Sequence, residues 1–247
     1  HQGLTSTYRS ARPIHARHRY GCRVGLKNTV GLAGLLTGRD WLGKRVHLGF
    51  AQAFFDFLFA LIGILLLLPI MSLVILILAL LNKGTPFFIQ ERPGKDEVSF
   101  KVIKLKTMTN ERDMNGVLLP DSKRITRFGS IIRKSSLDET PQLLNVLIGN
   151  MSLIGPRPLL KRYLPYYSPL ERKRHDVRPG ITGWAQVNGR NLVGWDDRLK
   201  LDVFYVENIS MKFDIKIFYS TLIKVIKSSN VVVDPQSVIN DLDYERE

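Results

Sequence analysis

The sequence predicts an α+β fold that is mainly helical, with one membrane-embedded helix joined to a small globular domain. Residues 57–81 contain no charged side chain, and as a helix they would reach roughly 38 Å against a hydrocarbon core of about 30 Å. Two later segments look like short strands, and the second of them alternates apolar residues with lysines. Several others have apolar residues at helical spacing. The 247 residues leave room for one domain beside the membrane element.

The charge of the chain favours a membrane partner. It has 36 Lys and Arg residues against 22 Asp and Glu, a formal net charge of +14. Nine of the basic residues lie in the first 50 positions, which hold one acid, Asp40. Basic proteins bind nucleic acid or anionic membrane surfaces, and the apolar run favours the membrane. The single cysteine, Cys22, cannot form an internal disulfide, which fits a reducing compartment.

Composition divides the chain into four regions. Residues 1–45 form a basic extension that is either disordered, an addition to the natural protein, or an arm that contacts anionic lipid. Residues 46–84 carry the membrane helix, and residues 85–228 form the globular domain. Residues 229–247 form an acidic tail that we expect to be loose.

The membrane segment has two possible arrangements. Pro69 removes a backbone hydrogen bond in the middle of the run and predicts a kink that turns the helix back to the side it entered. Basic residues flank the run on both sides, whereas a spanning helix concentrates them on the cytoplasmic side. Asp56, at the edge of the run, would then lie at headgroup depth. The alternative is a straight span that tolerates its proline. The basic flanks are Arg39, Lys44, Arg45, Lys83, Arg92, Lys95 and Lys101.

In the globular part the patterns predict strands at Thr85–Gln90 and Ser99–Lys106, then helices. The last helix, Phe213–Lys227, has an apolar face beside lysines, so it either lies on a membrane surface or packs into the core. His175 is expected at the surface, and residues 178–184 as a loop. The other predicted helices are Arg124–Lys134, Asp138–Ile148, Leu159–Tyr167, Pro169–Asp176 and Trp195–Asn208.

Two adjacent carboxylates, Asp138 and Glu139, are the strongest chemical signal. A carboxylate is ionised at neutral pH, so it can attack phosphorus once nearby cations offset its repulsion from phosphate. Its neighbour can hold Mg²⁺. Arg133, in the preceding turn, is placed to neutralise phosphate. The same residues also fit a capping box with Ser136 as N-cap and Glu139 at the third helical position, and the two roles can coexist.

Other candidate phosphate ligands are weaker signals. Arg157, between two prolines, is either a rigidly presented guanidinium or part of a stiff turn. Lys104 and Lys106 either line a phosphate site or cover a solvated strand face. No glycine-rich phosphate loop of the P-loop or dinucleotide type is present.

From about Phe50 to Ser228 the chain resembles the bacterial sugar transferase family, and within it the small monotopic phosphoglycosyl transferases. Many ordered motifs carry this resemblance, which makes it far more specific than any one of them. The motifs are Phe88–Gly94, Lys104–Met108, Ser136–Glu139 with Pro141–Leu143, Gly149–Pro158, Arg178–Gly183, Gln186–Arg190, and Asp202, Tyr205, Asn208 and Asp214.

The resemblance implies a two-step reaction. Asp138 would take the phosphosugar from a UDP-sugar and release UMP, and polyprenyl (undecaprenyl) phosphate would then attack the phospho-aspartate. Glu139 would bind Mg²⁺, and Arg178, Arg190 and Asp202 would join the substrate-binding residues.

The resemblance also implies where the protein lies. The family's fold is a re-entrant membrane helix hairpin broken at Pro69, with amphipathic interfacial helices and a small cytoplasmic catalytic domain on the bacterial inner membrane. The chain departs from the family at Leu68, where serine is frequent, at Gln52 and Ala53, where basic residues are frequent, and at Asn150, where aspartate is frequent.

Two other functions compete with this one. Asp138 could act as a base in a single direct displacement, which ping-pong kinetics would exclude. The chain could also be a membrane-tethered module that grips anionic lipid or nucleic acid, indifferent to UDP-sugar and Mg²⁺ and sensitive to salt. The motif set favours the enzyme, with no nucleic-acid partner. The sequence assigns neither the transferred sugar nor the oligomeric state.

Overall fold

The computed structural model describes residues 34–189, 194–226 and 241–247. Its first element, helix α1 (Gly34–Leu81), is 48 residues long and contains Pro69. By length and composition, Gly49–Leu81 could cross a membrane. The helix continues through Pro69, so the structure does not confirm the predicted hairpin. Residues 1–33 of the predicted basic extension lie outside the described residues.

Helix α1 has two different faces. One stripe of residues, three or four positions apart and therefore on one side of a helix, lies against the globular part. The opposite face leaves large apolar side chains exposed, including Phe54, Leu66 and Leu80. The stripe continues across Pro69 without a change of phase, so one side of the helix is covered from Gln52 onward. Its members are Gln52, Asp56, Ala60, Gly63, Leu67, Met71, Val74, Leu78 and Asn82.

The two predicted strands form an antiparallel pair, which confirms the alternating pattern. Strand β1 (Phe87–Pro93) pairs with β2 (Ser99–Leu105), with Phe88 opposite Lys104 and Arg92 opposite Phe100. On β2, Val102 and Leu105 are buried while Lys104 points its ammonium at Glu139. This hairpin therefore supplies one wall of the site described below.

The next segment is a series of short helices. They are α2 (Asp121–Arg124), α3 (Arg127–Lys134), a 3₁₀ turn (Leu137–Glu139) and α4 (Gln142–Ile148). Thr126 caps α3, because its Oγ1 accepts from Gly129 N at 2.8 Å.

The helix predicted from Asp138 to Ile148 is thus divided. Pro141 precedes α4, which ends at Ile148 as predicted, and Gly149 follows it in a left-handed conformation with φ +89°.

Two short parallel strands follow. Strand β3 (Ser152–Ile154) pairs with β4 (Gly180–Thr182), so the region expected as a loop contains a strand. The backbones approach closely here. A Cβ atom on Gly180 would overlap Gly155 N, and one on Gly183 would overlap Gly155 O. Glycine is therefore required at both positions for this packing.

The remaining helices close the domain. The predicted helices at 159–176 are 3₁₀ helices, Lys161–Tyr166 and Glu171–His175. They are followed by α5 (Trp184–Val187), α6 (Trp195–Glu207) and α7 (Met211–Ile226).

Helix α7 packs into the core on one side, as one of the two predictions has it, and leaves apolar side chains exposed on another. Ile217 is fully buried, whereas Phe218, Leu222 and Val225 are exposed, and Phe218 lies 6.2 Å, ring to ring, from Phe59 of α1. Its apolar face therefore continues the exposed face of α1.

Two local predictions were wrong because distant residues decide them. The end of the tail forms α8 (Leu242–Arg246), and Leu242 is buried against Tyr163 and Trp195. Arg246 pairs with Glu171 at 2.8 Å, so residues 241–247 are docked rather than loose. His175, expected at the surface, is 6% exposed, with Nδ1 3.1 Å from Gly94 O. Within the described part the fold is mainly helical, as predicted, and it has two two-stranded sheets, of which only the strands of the first were predicted.

Candidate active site

A cavity of about 710 Å³ lies between β2, α3, the 3₁₀ turn, the segment around Arg157, β4, α5 and α7. Its volume falls in the range of roughly 300–1,000 Å³ that small-molecule sites occupy. Asp138 and Glu139 both line it. The cavity is therefore the place to test the predicted chemistry.

The turn that carries the carboxylates is strained. Ser136 adopts a left-handed conformation with φ 59°, and its side chain makes no capping hydrogen bond. The capping box predicted for Ser136 and Glu139 is therefore wrong, because the Glu139 carboxylate turns away from the helix start toward two cations. Such a backbone costs of order 1–3 kcal/mol and is found mainly at functional sites.

Glu139 is held by Lys104 and Arg157. Lys104 Nζ donates to Glu139 Oε1 at 2.8 Å, while Arg157 Nη2 donates to the same oxygen and Nη1 to Oε2 at 3.2 Å. Burial alone would raise the pKa of Glu139, but the charges and hydrogen bonds of Arg157 and Lys104 hold that pKa well below its ordinary value. Glu139 is thus a permanent carboxylate in this site.

Asp138 has a different environment. It is half-buried, and over the residues that the structure describes its carboxylate makes no hydrogen bond or ion pair. Burial and then the charge of Glu139 raise the pKa of Asp138 to about 6, against the opposing charges of Lys104, Arg133 and Arg157. At pH 7 roughly nine tenths of such a group is ionised. Asp138 is therefore an available anion surrounded by cations, as a nucleophile for phosphorus requires.

Arg157 is fixed from behind by a buried ion pair. Arg174 Nη2 donates to Arg157 O at 2.7 Å and to Asp202 Oδ2 at 2.8 Å. The Arg174 and Asp202 side chains are 1% and 2% exposed. Asp202 lines the cavity, but its charge is directed to Arg174, so it positions the Arg157 segment.

The other cations predicted for the site lie on the cavity wall. Arg133 Nε donates to Thr107 Oγ1 at 2.9 Å, which holds the guanidinium at the cavity. Lys106 Nζ lies 3.3 Å from Thr85 Oγ1. The structure thus brings together Lys104, Lys106, Arg133, Asp138, Glu139, Arg157 and Asp202 around one cavity.

One of the predicted site residues that the structure describes is not brought there. Arg178 does not line the cavity; its Nη2 donates to Asp56 Oδ2 at 3.0 Å and so joins β4 to α1. Arg190 lies outside the described residues. Asp56 is 4% exposed and also accepts from Leu153 N at 2.9 Å, and the headgroup depth expected for it stays a prediction. Its partners are in the protein.

Sequence reasoning missed several residues that line the cavity. Arg92 donates to Gln90 Oε1 at 2.6 Å, and burial and the nearby Arg157 charge lower its pKa to about 10. Its position in the motif Phe88–Gly94 was the available signal. Arg198 lies over the Trp195 ring at 4.4 Å, with no motif to mark it. The missed lining residues include Arg92, Arg124, Gln186 and Arg198.

The carboxylate pair fits a magnesium ion that arrives with phosphates. Among the described residues no cluster of three or more His, Cys, Asp or Glu could form a protein cage for a metal. Mg²⁺ is commonly bound by one or two carboxylates, with phosphate oxygens and water as the other ligands. Asp138, which lacks a hydrogen-bond partner here, and Glu139 offer that donor set.

Comparison with known proteins places the chain in a family. The family described as bacterial sugar transferase matches residues 48–228. The chain is 53% identical over 152 residues to the uncharacterized sugar transferase EpsL of Bacillus subtilis, covering 61% of this chain and 75% of that protein.

Two larger relatives have named activities. One, 38% identical over 68% of this chain, is the UDP-N-acetylgalactosamine-undecaprenyl-phosphate N-acetylgalactosaminephosphotransferase of Aeromonas hydrophila. The other, 37% identical over 68% of this chain, is the UDP-glucose:undecaprenyl-phosphate glucose-1-phosphate transferase of Escherichia coli. The chain spans 41% and 39% of their lengths. With the family matched from residue 48 to residue 228, this chain belongs to the bacterial sugar transferases.

Proposed function

We propose that the protein transfers a sugar 1-phosphate from a UDP-sugar to undecaprenyl phosphate through a covalent phosphosugar on Asp138, with release of UMP. The observation that carries the proposal is the half-buried Asp138 carboxylate, which has no hydrogen-bond or ion-pair partner among the described residues, beside a glutamate held by Lys104 and Arg157 in one cavity. The names of the relatives support a UDP-sugar donor and an undecaprenyl-phosphate acceptor. The product would start a lipid-linked glycan.

In the first step, an Asp138 oxygen attacks the phosphorus that carries the sugar. The bond between that phosphorus and the bridging oxygen of the diphosphate breaks, and UMP leaves with the electron pair. Because Asp138 is already ionised, no base is needed. Lys104, Arg133 and Arg157 lower the repulsion between the carboxylate and the diphosphate.

In the second step, a phosphate oxygen of the lipid acceptor attacks the same phosphorus. The bond to Asp138 breaks, which restores the carboxylate and forms a polyprenyl diphosphate sugar. Glu139 stays anionic throughout, since its two cations hold its pKa low. Glu139 would hold Mg²⁺, which would neutralise charge that develops on the phosphate oxygens.

We also propose that the protein is monotopic, with a re-entrant α1 and its catalytic domain on the cytoplasmic face of the inner membrane. Both ends of the covered stripe support this: Gln52 Nε2 donates to Asp214 Oδ2 at 3.2 Å, and Asn82 Nδ2 donates to Lys106 O at 3.1 Å. Both contacts are to the globular domain. A perpendicular span would carry that charged domain into the hydrocarbon, which is costly. The basic flanks favour the cytoplasmic side.

The reaction is tested with purified protein in lipid nanodiscs. We expect UMP release from a UDP-sugar, a labelled phosphosugar–protein adduct and ping-pong kinetics, all lost in Asp138→Asn. Glu139→Gln should weaken the Mg²⁺ dependence of UMP release. A normal adduct on Asp138→Asn would exclude Asp138 as the nucleophile, and sequential kinetics would assign it the role of a base. Salt-sensitive lipid binding without turnover would support the binding module instead.

The membrane arrangement is tested by cysteine labelling in intact cells. In a Cys22→Ser background, Gly49→Cys and Lys83→Cys each place a thiol beside the apolar segment. A membrane-impermeant maleimide should reach neither thiol until the cells are permeabilised. Labelling of one flank only in intact cells would show that the helix crosses the membrane.

A further inference from the structure

The cavity has two chemically different walls. The charged wall carries Lys104, Arg133 and Arg157 beside the two carboxylates. The other wall, formed by β4, α5 and α7, has no charged residue among the described residues that line the cavity. A substrate that joins a diphosphate to a neutral, hydroxyl-rich ring has the same division. The neutral wall consists of Ile181, Thr182, Ala185, Gln186, Thr221 and Val225.

Gln186 is the unusual member of the neutral wall. It is 9% exposed, and neither its Nε2 nor its Oε1 has a hydrogen-bond partner in the part of the chain that the structure describes. Buried polar groups are nearly always paired, so a carboxamide with both atoms unpaired calls for a ligand. Nothing in the chemistry proposed above uses it.

The backbone holds Gln186 in place. It lies on α5, whose start at Gly183 packs so closely that a Cβ there would overlap Gly155 O and lie 2.8 Å from Gln186 Oε1. Thr182 Oγ1 and Thr221 Oγ1 share a hydrogen bond of 2.8 Å, which joins β4 to α7 across the same wall. The amide therefore projects from a closely packed surface, as a recognition group should.

We propose that Gln186 recognises the sugar ring of the donor by hydrogen bonds to its hydroxyl or acylamino groups. The proposal rests on the proposed function. A carboxamide offers a donor and an acceptor, which matches such groups. Among the described residues, the neutral wall offers no aromatic ring or guanidinium on which a nucleobase could stack, whereas Phe88 and Arg124 line the cavity elsewhere. The uracil is thus assigned away from Gln186.

The test is Gln186→Leu, which keeps the size of the side chain and removes both polar atoms. We expect kcat/KM for the UDP-sugar to fall about 10- to 100-fold, as for loss of one or two hydrogen bonds to substrate. Inhibition by UMP should be unchanged. The melting temperature should stay equal or rise, because an unpaired buried amide has been removed.

A matched control is Asn188→Ala. Asn188 is an exposed amide two residues away, donates to Trp184 O at 2.7 Å and does not line the cavity. Its kcat/KM should match the wild type. Deoxy and deacylated UDP-sugars provide a second measurement: the wild type should discriminate against at least one of them, and Gln186→Leu should lose that discrimination.

The outcomes separate the possibilities. If UMP inhibition weakens as much as kcat/KM, Gln186 contacts the nucleotide and the proposal is wrong. If the melting temperature falls and discrimination among sugars persists, Gln186 is structural and the proposal is also wrong. If the wild type releases no UMP, the proposed function fails instead. In that case the amide contact can still be measured by calorimetry. The affinities of Asp138→Asn for UDP-sugar and for UMP are compared with those of the variant that carries both Asp138→Asn and Gln186→Leu.

Discussion

The buried pair Asp202–Arg174 provides a stability test with a matched control. Asp202 Oδ2 accepts from Arg174 Nη2 at 2.8 Å and Nε at 3.2 Å, with both side chains almost fully buried. Asp202→Asn leaves the guanidinium buried without its counter-charge, a change that costs about 3–5 kcal/mol. Because the amide oxygen still accepts one bond, we expect about 3 kcal/mol. For a domain of this size that lowers the melting temperature by roughly 6–12 °C.

The control residue, Asp197, lies on α6, the helix that also carries Asp202. Asp197 pairs with Lys200 at 3.3 Å, but both side chains are more than 70% exposed, at 72% and 73%. Asp197→Asn should therefore change stability by less than about 0.5 kcal/mol. Thermal unfolding in nanodiscs measures both variants. Equal melting temperatures for Asp202→Asn and Asp197→Asn would refute the argument from burial.

A double variant distinguishes the net contribution of the Asp202–Arg174 ion pair to stability from the cost of removing one partner alone. Replacing both partners with apolar residues, Asp202→Leu with Arg174→Met, leaves no charge unpaired and should destabilise less than either single change. Since Arg174 also donates to Arg157 O, each variant that changes Asp202 or Arg174 should slow UMP release. Full UMP release from a destabilised variant would show that Arg157 needs no such support.

Three further predictions concern the site turn and the glycines. The rate of the first UMP turnover should rise with pH and level off above a pKa of about 6, because Asp138 must be ionised; a midpoint near 4 would contradict its environment. Since the raised pKa makes the ionised form of Asp138 costly in the folded state, Asp138→Asn should stabilise by about 1–2 kcal/mol at pH 8 and lose this advantage below pH 4, as chemical denaturation can measure. Gly180→Ala should abolish folding or cost more than about 3 kcal/mol in the same assay, because its Cβ would overlap Gly155 N, whereas Gly194→Ala, with open space around it, should be mild.

The sequence predicted the elements whose cause is local. The β1–β2 hairpin follows from alternation, and the end of α4 from Gly149. The carboxylate pair could also be found, since its chemistry resides in adjacent residues. The predicted capping box was wrong because it considered only neighbouring residues. The Glu139 carboxylate instead accepts hydrogen bonds from Lys104 and Arg157, which are 35 and 18 residues away in sequence. A local pattern cannot weigh such distant cations.

Sequence patterns did not show contacts with residues far along the chain. Arg178 belongs to a motif near the site but pairs with Asp56, 122 residues earlier. His175 and Leu242 are buried by segments that come together only in the fold. Gln186 was visible within a motif, but its importance lies in the absence of partners within the described structure, and no sequence pattern reports that.

The contacts on the covered face of α1 make the apolar helix and the globular domain one cooperative folding unit. Asp56 and Gln52 supply partners for Arg178, Tyr205 and Asp214, while Ala60 and Leu78 fill gaps in two apolar clusters. Deleting α1 would therefore not give a water-soluble enzyme. It would leave Arg178 without the carboxylate that pairs with it and would expose the two apolar clusters to water. Nor could an unrelated lipophilic segment be grafted in its place, since lipid affinity alone does not reproduce those contacts.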